Sequence, residues 1–224
     1  TIHSILGKAG IPLVGGTGDG GKVSVNGTVY EDADVYAFVK NNGGKVAVYK
    51  ENLYKPMPGY RFIASNTDRS RYYVGELNGK SSKQAYMDAL HISESNIINQ
   101  TFHNPLGKMN GQDICIISLK EVSGNGLCCY RQVNDSDVLV LLEEQDYNEI
   151  LDETLQRIRR DFNHISGVFS INCVFRYLLF SQEHHMEDYL KTMSTLGDHA
   201  GLIGFGEHYN QQFVNQTMTC VVFE

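Results

Sequence analysis

The pattern of apolar and polar residues predicts strands along most of the chain. Residues 34–40 alternate valine and alanine with other side chains, and 44–50 repeat the pattern after the turn Asn41-Asn42-Gly43. Period-two alternation on both sides of an Asn-Gly turn is typical of a hairpin, because asparagine and glycine accept positive φ. We therefore expect 34–40 and 44–50 to pair with each other.

The remainder of the chain combines strands with helices. Apolar residues recur every three or four positions in 147–162 and 183–196, which indicates amphipathic helices, and a shorter helix is expected at 82–90. Asp146 followed by Glu149 has the spacing of a capping box at the start of the longest helix. Further strands are expected at 72–77, 113–119, 126–131, 137–142, 167–175, 201–206 and 213–223.

A change in composition marks an expected boundary between two units. Residues 52–70 hold two of the four prolines and a polar, charged stretch. We expect a first unit at 1–55, a linker at 56–71 and a second unit at 72–224. Strands followed by helices predict a mixed α/β (α+β) fold, in which layered sheets are backed by helices.

A glycine-rich loop at 16–22 has the spacing of a phosphate-binding loop. Such loops bind phosphate because their backbone N–H groups open a helix. Here β-forming residues follow Lys22, and Asn26-Gly27 provides a turn. We therefore interpret the loop as a connection between strands.

Composition and charge exclude several classes of protein. The chain has 224 residues, of which 42% are hydrophobic, and it carries 19 basic and 26 acidic residues for a net charge of −7. This composition excludes a disordered chain, and the acidic balance argues against a nucleic-acid partner. No apolar run is long enough to span a membrane, and no signal peptide is visible.

Five cysteines without framework spacing indicate reduced thiols, so we expect a cytoplasmic protein. The start at Thr1 predicts a piece of a longer protein.

The strand expected at 167–175 has an unusually polar face. Alternation places Ser170, Asn172 and Arg176 on one side of it. The opposite side carries residues expected to form a core face: Phe169, Ile171, Cys173 and Phe175. Arg176 is expected to end the strand, where layered α/β structures commonly bind ligands.

Two glycines and two polar residues near the C-terminus complete the candidate site. Gly204 and Gly206 leave one face of a strand without side chains, which allows the close approach of a ligand or of another backbone. Glu207 follows directly, and Asn215 lies on the last strand. We expect Arg176, Glu207 and Asn215 to converge in a small polar pocket.

Two interpretations of this pocket remain open. An arginine fork matches a carboxylate and a glutamate accepts from an ammonium, so the set suits a zwitterion such as an amino acid. The alternative is a buried structural salt bridge between Arg176 and Glu207.

Several stretches resemble the FIST sensory domain. The order and spacing match over about 150 residues. Residues 72–224 resemble its complete C-terminal half and residues 1–50 resemble part of its N-terminal half. The stretches concerned are Ile11–Gly16, Val74–Gly79 leading to Tyr86, Asn104–Gly107, Cys173–Arg176, Glu187, Gly204–Glu207 and Val214–Met218.

The resemblance implies an intracellular sensor that binds a small ligand and is not an enzyme. Amino acids are ligands proposed for the family. Such input modules occur with histidine kinases of two-component systems, with chemotaxis receptors or with cyclic-dinucleotide enzymes, which would be the output partners here. We expect the ligand contacts to include Arg176, Glu207 and Asn215, with Ser170, Asn172, Cys173, Gly204 and Gly206 around them.

Three alternatives remain beside this interpretation. Some proteins that resemble FIST domains are regarded as haem-based nitric oxide sensors, and His184, His185 and His208 are candidate iron ligands, although we expect no cofactor. Cys173 is a candidate nucleophile for a hydrolase or transferase. A pure interaction module without a ligand is the third. No His-x-x-x-His or Cys-x-x-Cys spacing occurs, so we expect no metal site.

Overall fold

The chain folds into two units, and it passes from the first into the second and back again. The computed structural model describes residues 9–111 and 113–224. Unit 1 contains the described residues up to Asn52 together with Asp146–Glu224, and unit 2 is Leu53–Gln145. Strands and helices occur in both units, so the mixed α/β fold class is confirmed.

The elements of the described chain are numbered here in chain order. The helices are α1 Ser82–Leu90, α2 Ile97–Gln100, α3 Tyr147–Asp161, α4 Val174–Gln182 and α5 Met186–Met193. The first strands are β1 Val14–Gly16, β2 Lys22–Val25, β3 Thr28–Glu31, β4 Val46–Asn52, β5 Tyr54–Asp68, β6 Tyr73–Leu77, β7 Lys80–Ser81, β8 Leu106–Asn110 and β9 Asp113–Ile117. The remaining strands are β10 Leu119–Ser123, β11 Gly126–Cys129, β12 Val138–Glu144, β13 Gly167–Cys173, β14 Asp198–Gly204, β15 Glu207–Tyr209, β16 Gln212–Val214 and β17 Thr217–Phe223.

Unit 1 is built on a four-stranded sheet that joins two distant parts of the chain. Its strand order is β14–β13–β17–β4. β13 is parallel to β14 and antiparallel to β17, which is in turn antiparallel to β4. The described part of this unit also contains a small sheet, β1–β15–β16, and the hairpin β2–β3.

The two faces of the four-stranded sheet differ in character. Helices α3, α4 and α5 pack on the face that carries Tyr49, Glu51, Ser170 and Asn172. The other face is apolar, and β1 approaches it, since a Cβ on Gly16 would lie 2.9 Å from Ile171 Cγ2. The polar face is therefore buried under the helices, while on the expected core face Ile171 and Cys173 are buried and Phe169 is 36% exposed.

Unit 2 is a sheet with two short helices. Its strand order is β10–β11–β6–β5–β12–β8–β9, with β7 paired to β6. Helix α1 spans the predicted residues, and its N-cap Ser81 accepts from Gln84 N–H. The apolar core of the unit includes Val74, Leu77, Tyr86, Leu106, Leu119, Leu127 and Leu139.

The expected linker at 56–71 is wrong. This segment forms most of β5, a strand of 15 residues that pairs with β6 and β12. Its two prolines are tolerated because a register shift interrupts the pairing of β5 with β12 next to Pro56. The division between units instead falls at Asn52/Leu53 and at Gln145/Asp146.

The expected hairpin of 34–40 with 44–50 is also wrong. β4 pairs with β17 over seven residues, and 34–40 forms neither helix nor strand. Tyr36 and Phe38 in that segment are 66% and 69% exposed. The strand from the distant C-terminus gives β4 a buried sheet position, which the local turn does not.

The chain turns into a helix earlier than expected after β13. The strand ends at Cys173, and α4 begins at Val174, so Arg176 is a helical residue and does not end a strand. The N-cap half of the predicted capping box is confirmed, because the Asp146 carboxylate accepts from Asn148 N–H at 2.8 Å and from Glu149 N–H at 3.1 Å. Among the described residues, no helix has the length and apolar character needed to cross a membrane.

Candidate functional site

A buried ion pair lies at the centre of unit 1. Arg176 on α4 and Glu51 on β4 are 1% and 2% exposed, and Arg176 Nη2 donates to Glu51 Oε1. The Arg176 Cζ atom lies 4.6 Å from the ring centroid of Phe180 and 5.4 Å from that of Tyr189. The aromatic faces and the carboxylate together stabilise a guanidinium that has been removed from water.

The ion pair leaves polar atoms without hydrogen-bond partners. Among the described residues, Arg176 Nε and Nη1 and Glu51 Oε2 are buried and unpaired, and so is Asn172 Oδ1. Buried polar atoms are nearly always satisfied in native proteins, so an exception of this kind requires an explanation. The atoms offer two donors and two acceptors to a small polar molecule.

A chain of side-chain hydrogen bonds runs beside the ion pair. Asn172 Nδ2 donates to Tyr189 Oη at 2.9 Å, and Tyr189 Oη lies 3.4 Å from Ser170 Oγ. Ser170 Oγ lies 2.8 Å from His199 Nε2. Burial lowers the pKa of His199, so its ring is neutral at pH 7. The chain thus connects the buried amide of Asn172 to a half-buried imidazole.

Glu207 forms a second buried polar cluster. Its Oε2 accepts from Thr217 Oγ1 at 2.7 Å and from Thr217 N–H at 3.3 Å, whereas its buried Oε1 has no partner among the described residues. Burial raises the pKa of Glu207 to about 7. The bonds to Thr217, the Cys173 thiol and the charge of Arg176 lower this pKa, but their effects are smaller than that of burial. About half of the Glu207 carboxyls therefore carry a proton near neutral pH.

The two glycines accommodate protein atoms. A Cβ on Gly204 would lie 3.3 Å from Gly16 Cα, so Gly204 admits the backbone of β1. Gly206 has φ of 110°, and its Cβ would lie 2.6 Å from Phe213 Cζ and 3.1 Å from Asn215 Oδ1. The close approach expected at these glycines is made by backbone and by an aromatic ring.

The structure divides the predicted site residues between these clusters. Ser170, Asn172 and Arg176 lie under the helices, while Cys173, Gly204, Gly206, Glu207 and Asn215 lie around the connection to β15 and β17. Arg176 influences the pKa of Glu207 but bonds to Glu51, so the alternative of a structural Arg176–Glu207 salt bridge is wrong.

Sequence reasoning missed Glu51, Tyr189 and His199. Glu51 lies one residue beyond the strand expected at 44–50, on the same face as Ala47 and Tyr49. An acidic residue at an inward position of a mostly apolar strand is the signal that could have found it.

The residues of the alternative functions lie in different surroundings. His184 is exposed, while His185 is half-buried with its ring 4.8 Å from that of Phe180. His208 borders an apolar groove of about 910 Å³ together with Phe169 and other residues of unit 1. Cys173 is buried, and burial raises the pKa of its thiol to about 12, which disfavours the thiolate that a nucleophile requires.

A polar groove lies above the ion pair. It has a volume of about 420 Å³ and runs between β4 and α3. Glu51 belongs both to its lining and to the buried pair. Its lining residues are Lys50, Glu51, Asn52, Ile150, Glu153, Thr154, Gln156, Arg157 and Arg160. We refer to it as the β4–α3 groove.

Unit 1 is a mixed α/β module with a buried polar centre. Its Cys173 thiol is buried, whereas the nucleophile of a thiol enzyme has to be accessible to the substrate. The family model described as FIST C domain matches residues 83–210, which is 128 of the 224 residues. The chain belongs to the FIST C domain family, a sensor-type family of signalling proteins. The match includes Asn172, Arg176 and Glu207, and Glu51 lies outside it. No curated protein and no solved structure matches the chain.

Proposed function

We propose that this protein is a small-ligand-binding input module of a cytoplasmic signal-transduction protein. One observation carries the proposal: Arg176, Glu51 and Asn172 hold buried donors and acceptors that have no partner among the described residues. Membership of a sensor-type family supports the same role. The role is one of binding, without catalysis.

The chemistry of the unpaired atoms favours an amino acid or a similar metabolite as the ligand. Arg176 Nε and Nη1 would donate to a carboxylate, and Glu51 Oε2 and Asn172 Oδ1 would accept from an ammonium. Binding would complete hydrogen bonds on both α4 and β4, so the ligand would favour one arrangement of these elements. A kinase, chemotaxis receptor or cyclic-dinucleotide enzyme would serve as the output partner.

A thermal-shift screen of amino acids and related metabolites tests the proposal. A ligand at 100 times its Kd stabilises the bound state by about 2.7 kcal/mol, which corresponds to roughly 5–10 °C in Tm for a chain of this size. We expect at least one compound to produce such a shift. A broad panel without any response would contradict the proposal.

Two matched substitutions locate the ligand. Arg176→Lys keeps the charge but loses the planar fork, so we expect it to abolish the ligand-induced shift. Arg159→Lys is the control, because Arg159 lies on α3 and donates to Thr195 Oγ1 at 2.7 Å. Hydrogen exchange at β13 amides establishes that each variant is folded. A full ligand-induced shift in Arg176→Lys would place the ligand elsewhere.

Haem-based sensing of nitric oxide is a second candidate function. It is favoured because His208 borders an apolar groove of about 910 Å³, a volume in the range of cofactor sites. We expect a Soret band after haem reconstitution if this candidate applies, and its loss in His208→Ala but not in His184→Ala. A colourless protein after reconstitution removes the candidate.

A further inference from the structure

The β4–α3 groove carries more positive than negative charge, in a chain whose net charge is −7. The charged groups of Arg157 and Arg160 line the groove, and Glu153 is opposed to them, whereas the Lys50 ammonium is bonded to Gln212 on β16. The charge of Glu51 is balanced by its ion pair with Arg176. Two guanidinium groups against one remaining carboxylate give the groove a formal charge of +1.

The Arg157 side chain is held in place by neutral groups. Arg157 Nη2 donates to the backbone carbonyl of Lys50 at 3.0 Å, and its Cζ lies 5.5 Å from the ring centroid of Tyr49. Neutral anchors fix a side chain without cancelling its charge, so Arg157 keeps its attraction for an anion.

The two arginines repel each other when the groove holds no anion. Arg157 and Arg160 are three residues apart on α3, so they are neighbours on the helix surface. Neither forms an ion pair within the described part of the chain, whereas Lys83, Lys108 and Lys191 each do. An anion that contacts both guanidinium groups would remove the repulsion and gain charge-assisted hydrogen bonds.

We propose that the β4–α3 groove binds the anionic group, phosphate or carboxylate, of a small metabolite, through Arg157 and Arg160. The proposal goes beyond the buried centre, because both arginines are exposed and lie outside that centre. Glu51 links the two places, since it lines the groove and bonds Arg176. An occupied groove is therefore in a position to influence the buried ion pair.

The test is a titration of the folded chain with sodium phosphate and, separately, sodium succinate, each at constant ionic strength maintained with sodium chloride. Binding is followed by the side-chain Nε–Hε resonances of the arginines in ¹H–¹⁵N NMR spectra. We expect saturable shifts at Arg157 and Arg160 with at least one of the two anions. The anion that binds more tightly identifies the source of the charge. No saturation up to about 50 mM of either anion would overturn the proposal, because non-specific screening by salt does not saturate.

Matched variants separate a site from a general effect of charge. Arg157→Gln and Arg160→Gln should each weaken binding at least about tenfold, the usual loss for a charge-assisted hydrogen bond. Arg159→Gln removes the same charge from the same helix, but Arg159 bonds Thr195 and does not line the groove. We expect its Kd to stay within about twofold of that of the unchanged protein, since screened surface charges act weakly over distance. An equal loss in all three variants would refute the site. Arg176→Lys should lose the metabolite response of the buried centre and retain anion binding, so the two proposals can fail independently.

Discussion

Removing Arg176 alone should destabilise unit 1 far more than removing both members of its ion pair. In Arg176→Met the apolar stem still packs against Phe180 and Tyr189, but Glu51 keeps a buried charge without a counter-ion. Breaking a buried pair in this way costs about 3–5 kcal/mol. For a chain of this size that corresponds to a decrease in Tm of roughly 6–20 °C.

The double variant Glu51→Met/Arg176→Met should recover most of this loss. Replacing both charges by apolar side chains of similar length removes the unpaired carboxylate, and such replacements are often neutral or stabilising. The two substitutions should therefore couple by at least about 2–3 kcal/mol in a double-mutant cycle. Lys191→Gln, in the exposed pair of Lys191 with Glu187, is the control and should leave stability unchanged.

Hydrogen exchange at the amides of β13 and β17 measures these differences for unit 1 specifically. Both strands belong to the four-stranded sheet that carries Glu51, so their slowest amides report the opening of that sheet. A single Arg176→Met variant within about 1 kcal/mol of the parent protein would refute the reasoning. Additive effects of the two substitutions would refute it as well.

Three further predictions concern Glu207, the cysteines and the glycines. Burial raises the pKa of Glu207 from 4.5 to about 7, so between these pH values the folded state keeps a proton that the unfolded state has lost. The free energy of unfolding should therefore fall by roughly 3 kcal/mol as the pH rises from about 4.5 to 7. Unfolding of Glu207→Gln in urea at several pH values should lack this contribution, and equal slopes in the two proteins would contradict the assignment. Thiol labelling of the native protein, followed by mass spectrometry, should modify the half-buried Cys115 first and leave Cys173 unlabelled. Rapid labelling of Cys173 would contradict this expectation and would support Cys173 as a nucleophile. Gly206→Ala should lower the free energy of unfolding by about 1–3 kcal/mol or more, because Gly206 has a positive φ and its Cβ would contact the Phe213 ring. Gly204→Ala should lower it by less, and equal losses of stability in denaturation experiments would contradict this account.

The elements that follow from local sequence could be predicted. Helix α1 and the start of α3 depend on residues within one or two turns, such as Ser81 and Asp146, and the side chains of both cap their helices as the spacing indicates. The turn at Asn78–Gly79 and the hairpin β2–β3 are equally local. In each case the residues that decide the structure lie next to each other in the sequence.

The pairing of distant segments could not be predicted in this way. Residues 34–40 and 44–50 satisfy every local criterion for a hairpin, yet β4 pairs with β17, whose residues follow it by about 170 positions. The entropic cost of closing a loop of this length is offset only when a whole sheet is buried, and the local alternation of residues does not reveal that burial.

The candidate site was predicted in part for the same reason. Arg176 and Glu207 were identified from their own strands and motifs, but the partner of Arg176 comes from β4, and only the pairing of β4 with β17 brings Glu51 into the sheet. The alternation of β13 predicts its polar face as one wall of a small pocket, whereas α3, α4 and α5 cover that face. Which face a helix covers depends on packing that alternation alone does not specify.

The arrangement of unit 2 as an insertion has a practical consequence for dissecting the protein. The backbone N–H of Gln145 donates to the carbonyl of Leu53 at 2.9 Å, so the residues at which the chain enters and leaves unit 2 are neighbours. We therefore expect a short glycine-containing turn from Asn52 to Asp146 to replace the insert and to leave the strand register of β4 with β17 unchanged. The excised segment, Leu53–Gln145, is a single continuous stretch of chain that can be produced by itself.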